Sequence, residues 1–253
     1  MNWQPKEDFS VTVKLLSAAK EIAEMFWHEE SKYCLLCGMP SSSGVCSNCN
    51  KLYFCPEQQR CFSCGKLLEN GSNQCQDCRK GHGPKFLDKV TTFGYYGGAW
   101  KQFIHNIKYK GQPYLLFALA QDLTSWAIKQ LPPPDCIVPV PLHPNRLALR
   151  GFNQAEVLAS ILAGYLGISF KDILLRTKDT TPQAALGRQE RLANLKSAFD
   201  LKPGVLIEGE EIWLVDDVVT TAATIGECAE VLKKFGARKV YAFCLGAGRE
   251  KLE

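Results

Sequence analysis

Residues 212–224 read IWLVDDVVTTAAT, and their order sets the frame for the rest of the chain. Ile212, Trp213, Leu214 and Val215 have the length and the β-branched and aromatic content of a buried strand. They run into Asp216 and Asp217, then Val218 and Val219, then a small, hydroxyl-rich turn of Thr220, Thr221, Ala222, Ala223 and Thr224. Downstream, Ile225, Ala229, Val231, Leu232 and Phe235 recur at helical spacing up to a stop at Gly236. Strand, acid pair, threonine turn and helix together make an anion site. The unpaired N–H groups and positive dipole end of the helix suit a phosphate, and the carboxylates accept hydrogen bonds from vicinal hydroxyls. Phosphate below and diol above outline a ribose 5-phosphate. A strand that merely ends in two solvated acids would account for the acids, which the helix dipole favours. It would not account for the order of acids, aliphatics and threonines.

The same grammar appears upstream. Pro132, Pro133 and Pro134 cannot extend a helix. After them a short strand over 136–140 leads into a loop holding His143, Asn145, Arg146 and Arg150, then a helix from near Asn153, a residue suited to its N-cap. Repeated strand, loop and helix predict an α/β fold with a parallel sheet. A short strand over 173–175 precedes a polar, Thr-rich stretch broken by Pro182 and Gly187, which reads as a mobile loop. Residues 205–207, a turn at Glu208 and Gly209, and a last strand over 239–245 are expected to complete the sheet.

The acid pair followed by the threonine turn resembles the phosphoribosyl pyrophosphate motif of type I phosphoribosyltransferases, and the chain resembles the ComF family over roughly residues 34 to 246. The stretch VPVPLHP…R…RGFNQA carries that resemblance most specifically outside the acid pair, with KY-x-G around Lys108 and Gln183, Leu186, Arg191, Asn194, Ala198 and Phe199 adding to it. The resemblance implies a type I phosphoribosyltransferase-like fold binding phosphoribosyl pyrophosphate and Mg²⁺. It assigns residues 216–224 to the ribose phosphate, Asp216, Asp217, Arg146 and Arg150 to catalysis, and Lys178, Arg188 and Arg191 to pyrophosphate contacts from the closing loop. It further implies a cytoplasmic role in DNA uptake and natural transformation, with single-stranded DNA and DNA-uptake or recombination proteins as partners. The family usually has Gly where this chain has Ala222, a position where φ can be positive and Ala costs on the order of 1 kcal/mol.

The chain has 253 residues, 46% hydrophobic and 22% charged, ordinary for a folded protein, and 30 Lys+Arg against 26 Asp+Glu permits an anionic partner without demanding one. The start, MNWQPKEDFS, lacks the basic and apolar runs of a signal peptide, and no stretch is long and apolar enough to span a bilayer. Twelve cysteines without an export signal point to metal rather than disulfides. Eight form Cys-x-x-Cys pairs: Cys34 with Cys37, Cys46 with Cys49, Cys61 with Cys64, and Cys75 with Cys78. Two pairs complete a tetrahedral site, so four pairs imply two structural Cys₄ zinc ions, ligated in sequence or interleaved. Gly38 and Gly65, each directly after a second cysteine, suit the knuckle turn, and Cys55 is an odd thiol expected to be packed.

The expected organisation is an amphipathic helix within 1–33, with Val11, Leu15, Ala19, Ile22, Ala23 and Phe26 as its stripe; a zinc module over 34–80; a linker and hood over 81–131; and the phosphoribosyltransferase domain over 132–253. Two helical patterns, 99–109 and 113–131, flank a break at Gly111 in the hood, where Lys108 and Lys110 read equally well as solvated charges. His82 and His105 stand alone and read as surface or core residues. No general base is evident, so a binding module that senses a nucleotide-like ligand or contacts nucleic acid on the same fold is the alternative to an enzyme. An acid pair near the chain's end argues against a receiver domain, and the chain lacks a Gly-rich loop ending in Gly-Lys-Ser/Thr.

Overall fold

The computed structural model describes residues 32–55, 57–69, 71–179 and 197–250. The expected N-terminal helix and most of the expected mobile loop, with Arg188 and Arg191, lie outside the described residues.

Each Cys₄ segment starts with a tight turn. Cys34 N–H donates to Met39 O and Gly38 N–H to Cys34 O, and the pattern recurs with Cys61 to Lys66 O and Gly65 to Cys61 O. Gly38 and Gly65 sit at φ 71° and 73°, a conformation glycine adopts without the Cβ penalty. The second pair of each segment opens a short helix, α1 (Ser47–Cys49) or α2 (Gln76–Arg79). A π-helical turn, Asn50–Phe54, extends α1.

Strand β1 (Lys89–Tyr95) follows, then α3 (Gly98–Tyr109). The second expected hood helix divides into a 3₁₀ turn, Pro113–Leu119, and α4 (Ala120–Gln130). Next come β2 (Cys136–Pro139), α5 (Pro144–Arg150), α6 (Gln154–Leu166), β3 (Ser169–Phe170), β4 (Leu174–Arg176) and β5 (Phe199–Leu201). The chain closes with β6 (Glu211–Val219), α7 (Ala223–Lys234) and β7 (Lys239–Ala247).

The main sheet is parallel in the order β1-β7-β6-β2-β3, with β6 at its centre. Both faces of β6 are covered, which is why its apolar run does not alternate with polar residues. Ile212, Leu214 and Val219 pack in one core with Ile225, Ala229 and Leu232 of α7, and Trp213 and Val215 in another with Leu158 and Leu162 of α6. Each such fully buried side chain contributes about 1.5–3 kcal/mol.

Four expectations are corrected. Lys89–Tyr95, taken from sequence as linker and hood, is the edge strand of the main sheet, paired with β7 from Lys89↔Tyr241 to Tyr95↔Ala247. Its Thr91 and Thr92 are buried, so its polarity concealed it. Residues 205–207 form no strand, and β4 pairs antiparallel with β5 in a separate two-stranded sheet. The strand over 212–215 continues through the acid pair to Val219, because pairing with β7 persists at Asp216↔Cys244 and Val218↔Gly246. The loop over 143–150 contains α5, started by Pro144 and stopped by Gly151 at φ 82°.

Candidate functional site

Successive side chains of a strand point to opposite faces, so β6 sends its two carboxylates to different surroundings. Asp216 lines a depression with Val218, Val219, Thr220, Thr221, Ala222, Ala223, Thr224 and Ile225. It is half-buried, and burial followed by the charge of Asp217 pushes its carboxyl up to about 7. Its Oδ1 accepts from the Asp217 N–H at 2.8 Å. Asp217 is buried on the other face, where its Oδ2 receives Lys108 Nζ of α3 at 2.6 Å and Gln154 Nε2 of α6. Asp216 Oδ2 and Asp217 Oδ1 thus keep acceptor capacity that no described residue takes up.

The turn after β6 bends at Ala222, which has φ 58° and ψ 14° and is buried. Positive φ at this position was the expectation from sequence, and Ala holds it at on the order of 1 kcal/mol. Gly226 N–H donates to Ala222 O at 2.9 Å, the first bond of α7, so the N–H groups ahead of it are ones the helix does not itself use. Thr221 Oγ1 is buried without a hydrogen-bond partner among the described residues. An orphaned hydroxyl beside a helix N-terminus is a donor set for an oxyanion.

The arginines lie on the side of α5 and α6. Arg150 donates to Gln154 Oε1 at 2.6 Å and stacks 5.2 Å above the Tyr109 ring. Arg146 pairs with Asp179 at 3.5 Å, where Asn145 Nδ2 also donates at 2.9 Å and His143 Nδ1 stands 3.7 Å away. Asn145's hydrogen bond, aided by the charges of His143 and Arg146, lowers the Asp179 carboxyl from its ordinary range. Asn153 caps α6 as expected, accepting from Ala155 N–H at 3.1 Å while donating to Val140 O at 3.0 Å.

Three participants escape a reading of the sequence. Lys108 is half-buried and paired with Asp217 rather than solvated. Gln154 joins that carboxylate to Arg150. Arg176 is buried at the end of β4 with its guanidinium 5.4 Å above Phe199, and its charge slightly favours ionised Asp216. Of these Lys108 and Gln154 carried a signal, their places in KY-x-G and in RGFNQA.

The cysteines close in sequence: Cys34, Cys37, Cys46 and Cys49 form one cluster, and Cys61, Cys64, Cys75 and Cys78 the other, with all sulfurs of a cluster within 4.8 Å. The Sγ atoms of Cys37 and Cys46 are 3.7 Å apart and those of Cys64 and Cys75 3.6 Å. Four thiolates about 2.3 Å from a tetrahedral zinc stand about 3.8 Å from one another, so the donor chemistry and spacing fit that ion. Cys55 is packed, its Sγ near Leu52 O and Arg249. No helix among the described residues is long and apolar enough to cross a membrane.

Residues 152–253 match the phosphoribosyl transferase domain family. The chain is 32% identical to the DNA utilization protein YhgH of Salmonella typhi, covering 84% of this chain and 95% of that one. It is 32% identical to competence protein F of Haemophilus influenzae over 79% of this chain and 89% of the relative. Competence protein ComFC of Streptococcus pneumoniae is similar at 31% identity over 84% and 98%. With the parallel sheet, the acid pair and its threonine turn, and two Cys₄ clusters ahead of them, these likenesses place this chain in the ComF family.

Proposed function

We propose that the site over residues 216–224 binds phosphoribosyl pyrophosphate with Mg²⁺, and that the two Cys₄ clusters hold structural zinc. The observation that carries this is the pairing of two carboxylates, each with an open oxygen, with a helix N-terminus whose Thr221 hydroxyl lacks a partner. Thr220, Thr221 and Thr224 take the 5-phosphate, and Asp216 and Asp217 take the ribose hydroxyls. Arg146, Arg150, Lys178, Arg188 and Arg191 stabilise the diphosphate as positive charge grows at C1 of the ribose. Mg²⁺, when bound with the ligand, neutralises part of the diphosphate charge. The zinc sites have no open position and serve the fold alone. The names of relatives, competence protein F and DNA utilization protein, support a role in competence or DNA use, and we extend this role to the cytoplasm with single-stranded DNA and DNA-uptake or recombination proteins as partners.

A second reading on the same site is a sensor that binds without turnover. It is favoured by the engagement of both arginines elsewhere, Arg150 with Gln154 and Arg146 with Asp179. Titration calorimetry with phosphoribosyl pyrophosphate and Mg²⁺, followed by a pyrophosphate-release assay with nucleobases and single-stranded DNA, separates the two. Binding with acceptor-dependent release identifies a transferase, binding alone a sensor, and absence of binding removes both.

A further inference from the structure

The acid pair is held from the hood. Lys108 and Tyr109 sit at the end of α3; Lys108 reaches Asp217 Oδ2, Gln154 donates to the same oxygen, Arg150 donates to Gln154, and Arg150 lies over Tyr109. These contacts form a closed ring that joins α3, β6, α5 and α6. Inside it Lys108 and Asp217 are 17% and 8% exposed at their side chains, so water screens both charges only weakly. Burial works against the Lys108 charge, but the attraction of Asp217 outweighs it and raises the ammonium above its ordinary range. The charge of Asp216 and the Tyr96 hydroxyl add smaller favourable contributions at a distance.

We propose that Lys108 is a positioning residue of the ribose site: with Gln154 it fixes Asp217 through Oδ2, so that Oδ1 is presented to a ribose hydroxyl and the doubly acidic strand end is neutralised before an anionic ligand arrives. This rests on the sugar-phosphate reading above. Without Lys108 the Asp217 carboxylate is free to rotate and carries uncompensated charge, so recognition of the diol weakens. The 5-phosphate is assigned to the threonine turn at the end of β6, which is separate from the Lys108–Asp217 pair, so its contacts stay as they are.

The test compares ribose 5-phosphate with 2-deoxyribose 5-phosphate, each with Mg²⁺, by calorimetry on the zinc-loaded full chain. The wild-type chain is expected to prefer ribose 5-phosphate by about tenfold, the scale of one hydrogen bond to a charged group. Lys108→Gln should reduce that preference to about twofold while changing affinity for the deoxy sugar little, and Lys108→Arg should restore most of it. A folded Lys108→Gln that keeps the full preference overturns the proposal, as does an equal loss for both sugars, which marks a merely structural role. Should Lys108→Gln not fold, Gln154→Leu carries the same comparison with the same expected loss of preference. If the wild-type chain binds neither sugar phosphate nor phosphoribosyl pyrophosphate, the site reading itself falls, an outcome distinct from binding without dependence on Lys108.

Discussion

The two Cys₄ segments have the same local structure and different places in the fold. Both use a glycine knuckle with matching hydrogen bonds and a second cysteine pair that opens a helix. In the first, Cys37 is exposed and Cys46 half-exposed, and α1 is capped by its own Cys46, whose Sγ accepts from Cys49 N–H. In the second all four cysteines are buried in the same core as Ile212, Leu214 and α7. There, α2 receives its N-terminal acceptor from Glu250, 174 residues along the chain, at 2.6 Å from Gln76 N. Leu67 further exchanges backbone bonds with Gly248 and Glu250, and Val90 N–H donates to Phe62 O. One repeated sequence pattern therefore yields a half-exposed cluster whose Cys34 and Cys49 join the core on the α6 face of β6, and a fully buried cluster in the core on the α7 face.

The largest expected effect of this difference is on metal loss. Cys61→Ser with Cys64→Ser should prevent accumulation of folded protein, because structural zinc binding is worth about 10 kcal/mol or more and all four cysteines of this site are buried. Cys34→Ser with Cys37→Ser should remove one zinc equivalent yet leave a chain with a cooperative unfolding transition. Zinc content by metal analysis, with circular dichroism melting, checks both; equal damage from the two pairs would break the comparison.

Glycine substitutions give a smaller, graded version. Gly38→Ala meets open space, so it should cost only the strain of positive φ, about 1 kcal/mol. Gly65→Ala brings Cβ to 2.6 Å from Thr92 Cγ2 and 3.1 Å from Val90 Cγ1, adding about 1–3 kcal/mol of overpacking. Denaturant unfolding of the two variants should differ by that second amount.

Glu250→Ala should cost about 1 kcal/mol, the scale of a lost N-cap, and should weaken zinc retention at the second cluster alone, as read by chelator competition. Ala222→Gly should show the smallest effect, a gain of at most about 1 kcal/mol, since relief of strain is offset by the freedom of Gly in the unfolded chain. Because Ala222 shares the core of the second cluster, that gain should partly rescue Gly65→Ala in a combined variant.

Much of this architecture was legible along the chain because its signals are local. The strand, acid pair, threonine turn and helix over 212–236 are contiguous, and each Cys-x-x-Cys pair carries its knuckle within a few residues. Even the strained φ of Ala222 could be anticipated from its place in the turn. Lys89–Tyr95 was not legible, since buried threonines in an edge strand resemble a polar linker until β7 lies beside them. Nor was the division of labour between Asp216 and Asp217, neighbours that the alternation of a strand sends to different faces.

By itself, then, the sequence determined the α/β pattern, the two sets of four cysteines and the acid pair ahead of a threonine turn, each specified by residue type at short spacing. Only the tertiary structure decided that the cysteine pairs close in order, that the second cluster is buried throughout while the first is half-exposed, and that Lys108 faces Asp217. These depend on contacts between segments distant along the chain, which burial and charge pairing select once the sheet has assembled and which no local spacing encodes.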